Sequence, residues 1–165
     1  MRLLVLADTH LRRGRARRLP DQVYAELERA DAVLHAGDVL VTDLLDELAG
    51  FGPVYAVLGN NDEPALAATV PEVRTEELGG VRIGMIHDSG PTAGRPGRMR
   101  RRFPSADVVV YGHSHIPFDG VGIEGQWLFN PGSPTERRAQ PVHTYGILEV
   151  ADGVLVSHAV VPVED

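Results

Sequence analysis

Short apolar runs recur along the chain at 3–7, 32–36, 54–58, 81–86 and 108–111, each bounded by Gly, Pro or Asp. Each has strand length and is mostly apolar at odd and even positions alike, the pattern of strands buried on both faces. Helical spacing lies between some of them. Residues 21–30 follow Pro20 and set Val23, Leu27 and Ala30 on one face, while 42–49 carry Leu44, Leu45 and Leu48 and stop at Gly50. Strand–helix–strand alternation at the start predicts a parallel α/β arrangement. The last third changes character. Residues 120–129 and 145–161 read as short strands with Gly turns, and Ala151-Asp152-Gly153 between two apolar runs is a hairpin signal. They predict a second, more antiparallel sheet packed on the first. Residues 89–97 read as a loop leading to a short basic helix before the fifth strand.

A length of 165 residues predicts one domain, 1–165. Hydrophobic residues at 43% and charged residues at 24% exclude disordered, collagenous and coiled-coil readings. A net charge of −7 argues against stable nucleic-acid binding and against anionic membranes. There is no Cys, which excludes disulfides, thiol catalysis and Fe–S clusters, and no Lys, which excludes Schiff-base chemistry. The apolar start of the chain meets Asp8 too soon for a signal-peptide core, and no later run approaches membrane-spanning length. The expectation is a soluble, unprocessed, cytoplasmic protein.

Chemistry enters at the strand ends. Asp8-Thr9-His10 follows the first strand and Gly37-Asp38 the second. Gly59-Asn60-Asn61-Asp62 follows the third, His87-Asp88 the fourth, and Gly112-His113-Ser114-His115 the fifth. In an open α/β sheet, ligands gather outside the carboxyl ends of the strands, so five such ends predict one shared site. Residues two apart in extended backbone face the same way, which would aim Asp8 with His10, and His113 with His115. The glycines before Asp38, Asn60 and His113 suit sharp turns or close backbone approach. Imidazole, carboxylate and amide oxygen together suit Mn²⁺, Fe²⁺, Zn²⁺ or Ni²⁺. Seven such residues exceed what one tetrahedral ion needs, and two ions sharing a carboxylate fit the count better.

The ordered series Asp-x-His, Gly-Asp, Gly-Asn-x-Asp, His, Gly-His-x-His resembles the calcineurin-like metallophosphoesterase superfamily. Chain size, His35-Ala36-Gly37-Asp38 and Asn130-Pro131-Gly132-Ser133 resemble its small bacterial and archaeal (YfcE-type) phosphodiesterase branch. The resemblance implies a four-layer α/β/β/α sandwich of two mixed sheets flanked by helices. It implies one metal on Asp8, His10 and His115, a second on Asn60, His87 and His113, and Asp38 bridging them, with Mn²⁺ the leading choice. The implied catalytic residues are Asp38, Asn60, His87 and His113. The implied reaction is in-line attack of a metal-bridging hydroxide on a small phosphodiester or nucleotide-type substrate. Two divalent ions, two carboxylates and one hydroxide leave the site with a single positive charge, attractive to an anionic ester.

Two departures bear on substrate. Asn61 stands where many members carry a His that assists the leaving group, which favours diesters with good leaving groups. Asp88 stands where His-Gly is common and adds a carboxylate beside the second ion. Other residues read more plainly. His35 is a hydrogen-bonded core histidine, His143 and His158 are surface residues, and Trp127 with Phe129 fills core on one face. Asp62 either caps the next helix or orients Asn60. Asn130-Pro131-Gly132-Ser133 is by composition a turn, and in the family it supports the site. The arginine runs 12–18 and 98–102 are solvated surface or a guanidinium rim for substrate phosphates. Competing functions are a non-catalytic scaffold of the same fold, as in the retromer subunit, and a nuclease. Homo-oligomerisation is left open by the sequence.

Overall fold

The structure is a computed structural model that describes residues 1–14 and 16–164; Arg15 of the first arginine run lies outside the described residues. Its first sheet contains β1 (Arg2–Leu6), β2 (Ala32–His35) and β3 (Val54–Ala56), parallel to one another, with β9 (Thr144–Ala151) and β10 (Val154–Pro162) in the order β10-β9-β1-β2-β3. The second contains β4 (Val73–Leu78), β5 (Val81–Ile86), β6 (Val108–Val110), β7 (Phe118–Val121) and β8 (Trp127–Asn130) in the order β4-β5-β6-β8-β7. Both sheets are mixed. Helices α1 (Asp21–Leu27), α2 (Thr42–Ala49) and α3 (Pro64–Ala67) cover the first sheet, and α4 (Arg95–Arg102) covers the second. This is the expected four-layer α/β/β/α sandwich.

The unbroken apolar strands are explained by this layering. Along β1, Leu3 and Val5 enter the core between the sheets with Ile83, Met85, Val108, Val110 and Phe129. Leu4 and Leu6 face the other way, onto Val23, Leu27, Leu44, Leu48 and Leu66. Each alternate residue therefore finds an apolar layer. On the outer face of the second sheet, Val109 and Leu128 meet Met99 and Phe103.

Three expectations need correction. The five strand ends do not lie on one sheet, because β1–β3 belong to the first and β5 and β6 to the second. The strands of the last third also divide. Only β7 and β8 join the second sheet, while the β9–β10 hairpin pairs antiparallel with β1. The edge of β1 that β2 leaves open would expose unpaired N–H and C=O groups, and β9 pairs with it. Strand β4 was not expected at all. Its sequence, Val-Arg-Thr-Glu-Glu-Leu, is charged because it is an outer strand with several residues facing solvent, and Gly79-Gly80, both at positive φ, turn it back into β5. Helix α1 stops at Leu27 rather than residue 30, since the following turn brings Asp31 back to exchange hydrogen bonds with Arg2. Among the described residues no helix is long and apolar enough to cross a membrane.

Candidate metal centre

Parallel pairing in register brings the ends of β1, β2 and β3 side by side, with Leu6 opposite His35 and His35 opposite Ala56. The chain leaves them through loops laced by backbone bonds: Asp8 N–H donates to Gly37 O and His10 N–H to Asp38 O. From the second sheet, Gly112 N–H donates to His87 O and joins the remaining two loops. All seven predicted residues meet where the two sets of loops face each other.

They do so without the extended backbone expected for them. Asp8 (φ 53°), His10 (47°), Asp38 (56°), His113 (69°) and His115 (59°) are all left-handed. That conformation costs a non-glycine residue about 1–2 kcal/mol, and such strain collects where the fold must aim side chains at one point. Close approach is needed as well. A Cβ on Gly59 would lie 2.1 Å from Asp38 Oδ1, and one on Gly37 2.5 Å from His87 Nδ1.

Two groups result. Ligand atoms of Asp8, His10 and His115 lie within 4.8 Å of one another, as do those of Asp8, Asp38 and His87. Asp8 Oδ1 is 3.6 Å from His115 Nε2 and 3.9 Å from His87 Nε2, so Asp8 reaches toward both groups. His10 Nε2 lies 3.2 Å from Asp38 Oδ2. Asn60 Oδ1 lies 3.0 Å from His87 Nε2 and 3.1 Å from His113 Nδ1. His113 is half-exposed at the lip, while Asp8, Asp38, His87 and His115 are buried.

The imidazoles are set as ligands require. His87 Nδ1 is 2.7 Å from Ala36 O, and His115 Nδ1 bonds Glu136 O. A carbonyl can only accept, so each Nδ1 carries a proton and each ring turns Nε2, the atom that can ligate once it is deprotonated, into the site. His87 Nε2 faces two acceptors, Asn60 Oδ1 at 3.0 Å and Asp38 Oδ2 at 3.5 Å, which favours its protonated form until a cation takes the proton's place. Among the described residues, both oxygens of Asp8 and Nε2 of His10 and His115 are buried without a hydrogen-bond partner. Orphaned buried carboxylate oxygens are costly, and divalent cations held by these atoms would satisfy them. The donor set fits.

Burial pushes the Asp8 carboxyl up to about 7, against the pull of His87 and His10. Burial presses Asp38 upward too, but the adjacent His10 and His87 imidazoles and the two bonds from Asn61 prevail and hold it far below the usual carboxylate range. Burial lowers His115. For His87, the bond to Asp38 and the charge of Asp8 outweigh burial and raise it.

Supporting residues are partly new. Asn130 Nδ2 donates to Gly112 O, and Ser133 Oγ donates to Asp8 O at 2.7 Å, so this segment braces loops from both sheets. Thr135 and Glu136, which hold Thr9 O and orient His115, were not anticipated, although they directly follow that segment. Asp62 neither caps α3 nor contacts the Asn60 side chain. It accepts from Leu40 N–H and Gly59 N–H, both at 2.7 Å, and staples the Asp38 loop to the Asn60 loop. His35 is buried with Nε2 3.1 Å from Thr9 Oγ1, a core histidine as expected. His158 is partly covered, paired with Asp119 and tilted against Trp127. Trp127 and Phe129 share the inter-sheet core.

A family model for the calcineurin-like phosphoesterase superfamily domain matches residues 1–153, and the chain belongs to that superfamily. A curated relative from Methanothermobacter thermautotrophicus, named "Probable metallophosphoesterase", is 37% identical over 138 residues, covering 81% of this chain and 77% of the relative. Vps29 from Entamoeba histolytica, solved in complex with zinc, superposes with a TM-score of 0.76 at 23% identity over 99% of this chain and 98% of its own. A solved archaeal phosphodiesterase gives 0.71 at 18% identity over 99% and 100%. At those identities the two structures share the fold alone.

Proposed function

We propose that this chain is a cytoplasmic, single-domain phosphodiesterase that works with two divalent ions, Mn²⁺ first among Mn²⁺, Fe²⁺, Zn²⁺ and Ni²⁺. The observation that carries this reading is Asp8, fully buried with both oxygens unmatched, between the His10–His115 and Asp38–His87 groups. Asp8, His10 and His115 would hold one ion, Asn60, His87 and His113 the other, and Asp38 both. When bound, such a pair supplies a hydroxide nucleophile at neutral pH and stabilises charge on the attacking and leaving oxygens.

The chain's own residues fix the geometry. The carbonyls of Ala36 and Glu136 orient His87 and His115, and Asn61 fixes Asp38. With its amide on Asp38, Asn61 does not reach a leaving group, which favours diesters whose leaving groups need no proton. His113, at the lip, faces both Asn60 and solvent, where substrate enters.

The scaffold alternative also has support. Ile116, Phe118 and Val121 are exposed, as are Val154 and Val156, and an apolar surface suits a protein partner. A Vps29 solved with zinc means that bound metal alone does not separate scaffold from enzyme. Turnover does. Purified protein should contain metal and hydrolyse bis(p-nitrophenyl) phosphate on addition of Mn²⁺. Asp38→Asn and His113→Ala should abolish turnover with the circular dichroism unchanged. A folded, metal-loaded wild type with no turnover would leave the scaffold.

A further inference from the structure

The arginine run after His10 separates into two kinds of side chain. Arg13 bonds Asp43, Glu63 and Thr42, and Arg18 pairs with Asp21 and lies over Tyr24. These guanidiniums are neutralised within the protein. Arg12 and Arg17 are exposed and, among the described residues, have no acidic partner within ion-pair distance. Both line a depression of about 620 Å³ that His10 also lines, so it opens against the Asp8–His10–His115 group. Among the described residues that line it, one carboxylate, Glu136, is present.

A second depression, about 340 Å³, borders the other half of the ligand set at Asn60, His87 and His113. Its charged residues are Arg102 against Asp88 and Glu72, and Leu58, Val73 and Ile86 give it apolar wall. The two therefore differ in sign. Among the described residues, the first carries two guanidiniums against one carboxylate, and the second carries one against two. Unpaired guanidiniums form charge-assisted, often bidentate bonds to phosphate oxygens. An apolar wall with net negative charge suits a neutral organic group instead.

We propose that Arg12 and Arg17 form a subsite for a second phosphate group, so that the preferred substrate is a diester with one phosphorylated arm and one uncharged organic arm. The proposal rests on the metal-centre reading above and names its substrate class. The scissile phosphate sits at the metal ligands, the phosphorylated arm enters the arginine depression, and the organic arm lies along Leu58, Val73 and Ile86.

The test compares two p-nitrophenyl diesters, of thymidine 5′-phosphate and of the same nucleotide carrying a 3′-phosphate. In both, water adds to phosphorus, the bond to the nitrophenyl oxygen breaks, and nitrophenolate leaves. For the Mn²⁺-loaded wild type, the 3′-phosphate should raise kcat/KM by about tenfold, the effect of one well-made charge-assisted contact. The gain should shrink as salt rises. In Arg12→Gln/Arg17→Gln, the two substrates should become equal, and Arg12→Lys/Arg17→Lys should restore part of the difference. Equal kcat/KM in the wild type, or a preference that survives the Gln variant, overturns the proposal and leaves the phosphodiesterase reading intact. If neither ester is hydrolysed, that reading fails instead. Calorimetric binding of thymidine 3′,5′-bisphosphate against thymidine 5′-phosphate to wild type and Gln variant then decides: an advantage confined to the wild type supports the subsite, and no advantage removes it.

Discussion

Asn61 grips both oxygens of Asp38. Its backbone N–H donates to Oδ1 at 2.9 Å and its side-chain amide to Oδ2 at 2.8 Å. Two donors on one residue fix the carboxylate plane, and with His10 and His87 they keep Asp38 ionised in spite of its burial. The residue that the sequence marks only as a missing leaving-group acid is therefore a clamp on the carboxylate proposed to bridge the ions.

Asn61→Ala should lower Mn²⁺ affinity by about tenfold, the lower end of the range for residues that orient a ligand. The rate of bis(p-nitrophenyl) phosphate turnover at saturating metal should fall in similar proportion, with KM little changed. Metal titration by calorimetry separates this from a role in substrate binding, which would move KM and leave metal affinity alone.

Asp62 joins two loops that are also tied by the Glu63 N–H bond to Leu40 O, and its two bonds link the loop of Asp38 to that of Asn60, so its removal acts on both. Loss of two carboxylate bonds to backbone N–H groups should cost about 2 kcal/mol in Asp62→Ala. For a chain of this size that is a fall in Tm of about 4–8 °C. Metal affinity should fall with it. A variant with lower Tm and wild-type metal affinity would show that the staple serves the fold alone.

The legible part of the molecule is the part with two-sided burial. Leu3, Leu4, Val5 and Leu6 announce a strand packed on both faces because both faces are packed, and Thr42–Ala49 announces a helix because only one is. Assignment to sheets was not legible, since β5 beside β6 reads the same in either sheet. Strand β4 was hidden by its charge, although the Gly79-Gly80 turn between two valine-led runs was a usable signal. At the site, residue types and order pointed to the seven convergent residues. The left-handed backbone of Asp8 and His113, the double role of Asn61 and the stapling by Asp62 depend on which loops face each other, and no local pattern encodes that.

His35 provides a pH test of the buried core. Burial, with the neighbouring charge of His87, lowers its pKa from 6.5 to about 3, so the native ring is neutral while the unfolded ring protonates below 6.5. The unfolded state binds the extra proton, and the stability this group contributes is present above pH 6.5 and lost as pH falls toward 3. His35→Gln lacks that titration. The difference in unfolding free energy between wild type and variant should shift against the wild type by about 1.4 kcal/mol per pH unit within that window. Urea denaturation of both proteins across the range measures it, and a constant difference would mean the ring is not held neutral.

Asp8 titrates in the opposite sense and ties metal binding to pH. In the metal-free chain burial raises its pKa from 3.8 to about 7, so native Asp8 keeps a proton that the unfolded chain has released. Its contribution to metal-free stability is therefore full below 3.8 and falls as pH rises toward 7. A protonated carboxyl does not ligate, so proton and cation compete for the same oxygens. At about a hundredfold excess over its Kd, Mn²⁺ should stabilise the protein by about 2.7 kcal/mol at about pH 8. Each pH unit below 7 should remove about 1.4 kcal/mol of that gain through Asp8 alone, with protonation of the histidine ligands adding to the loss. Asp8→Asn should lose most of the gain at every pH. Thermal unfolding with Mn²⁺ and with chelator, at about pH 8 and about pH 6, reads the effect, and an equal gain at both would mean that Asp8 is not a ligand.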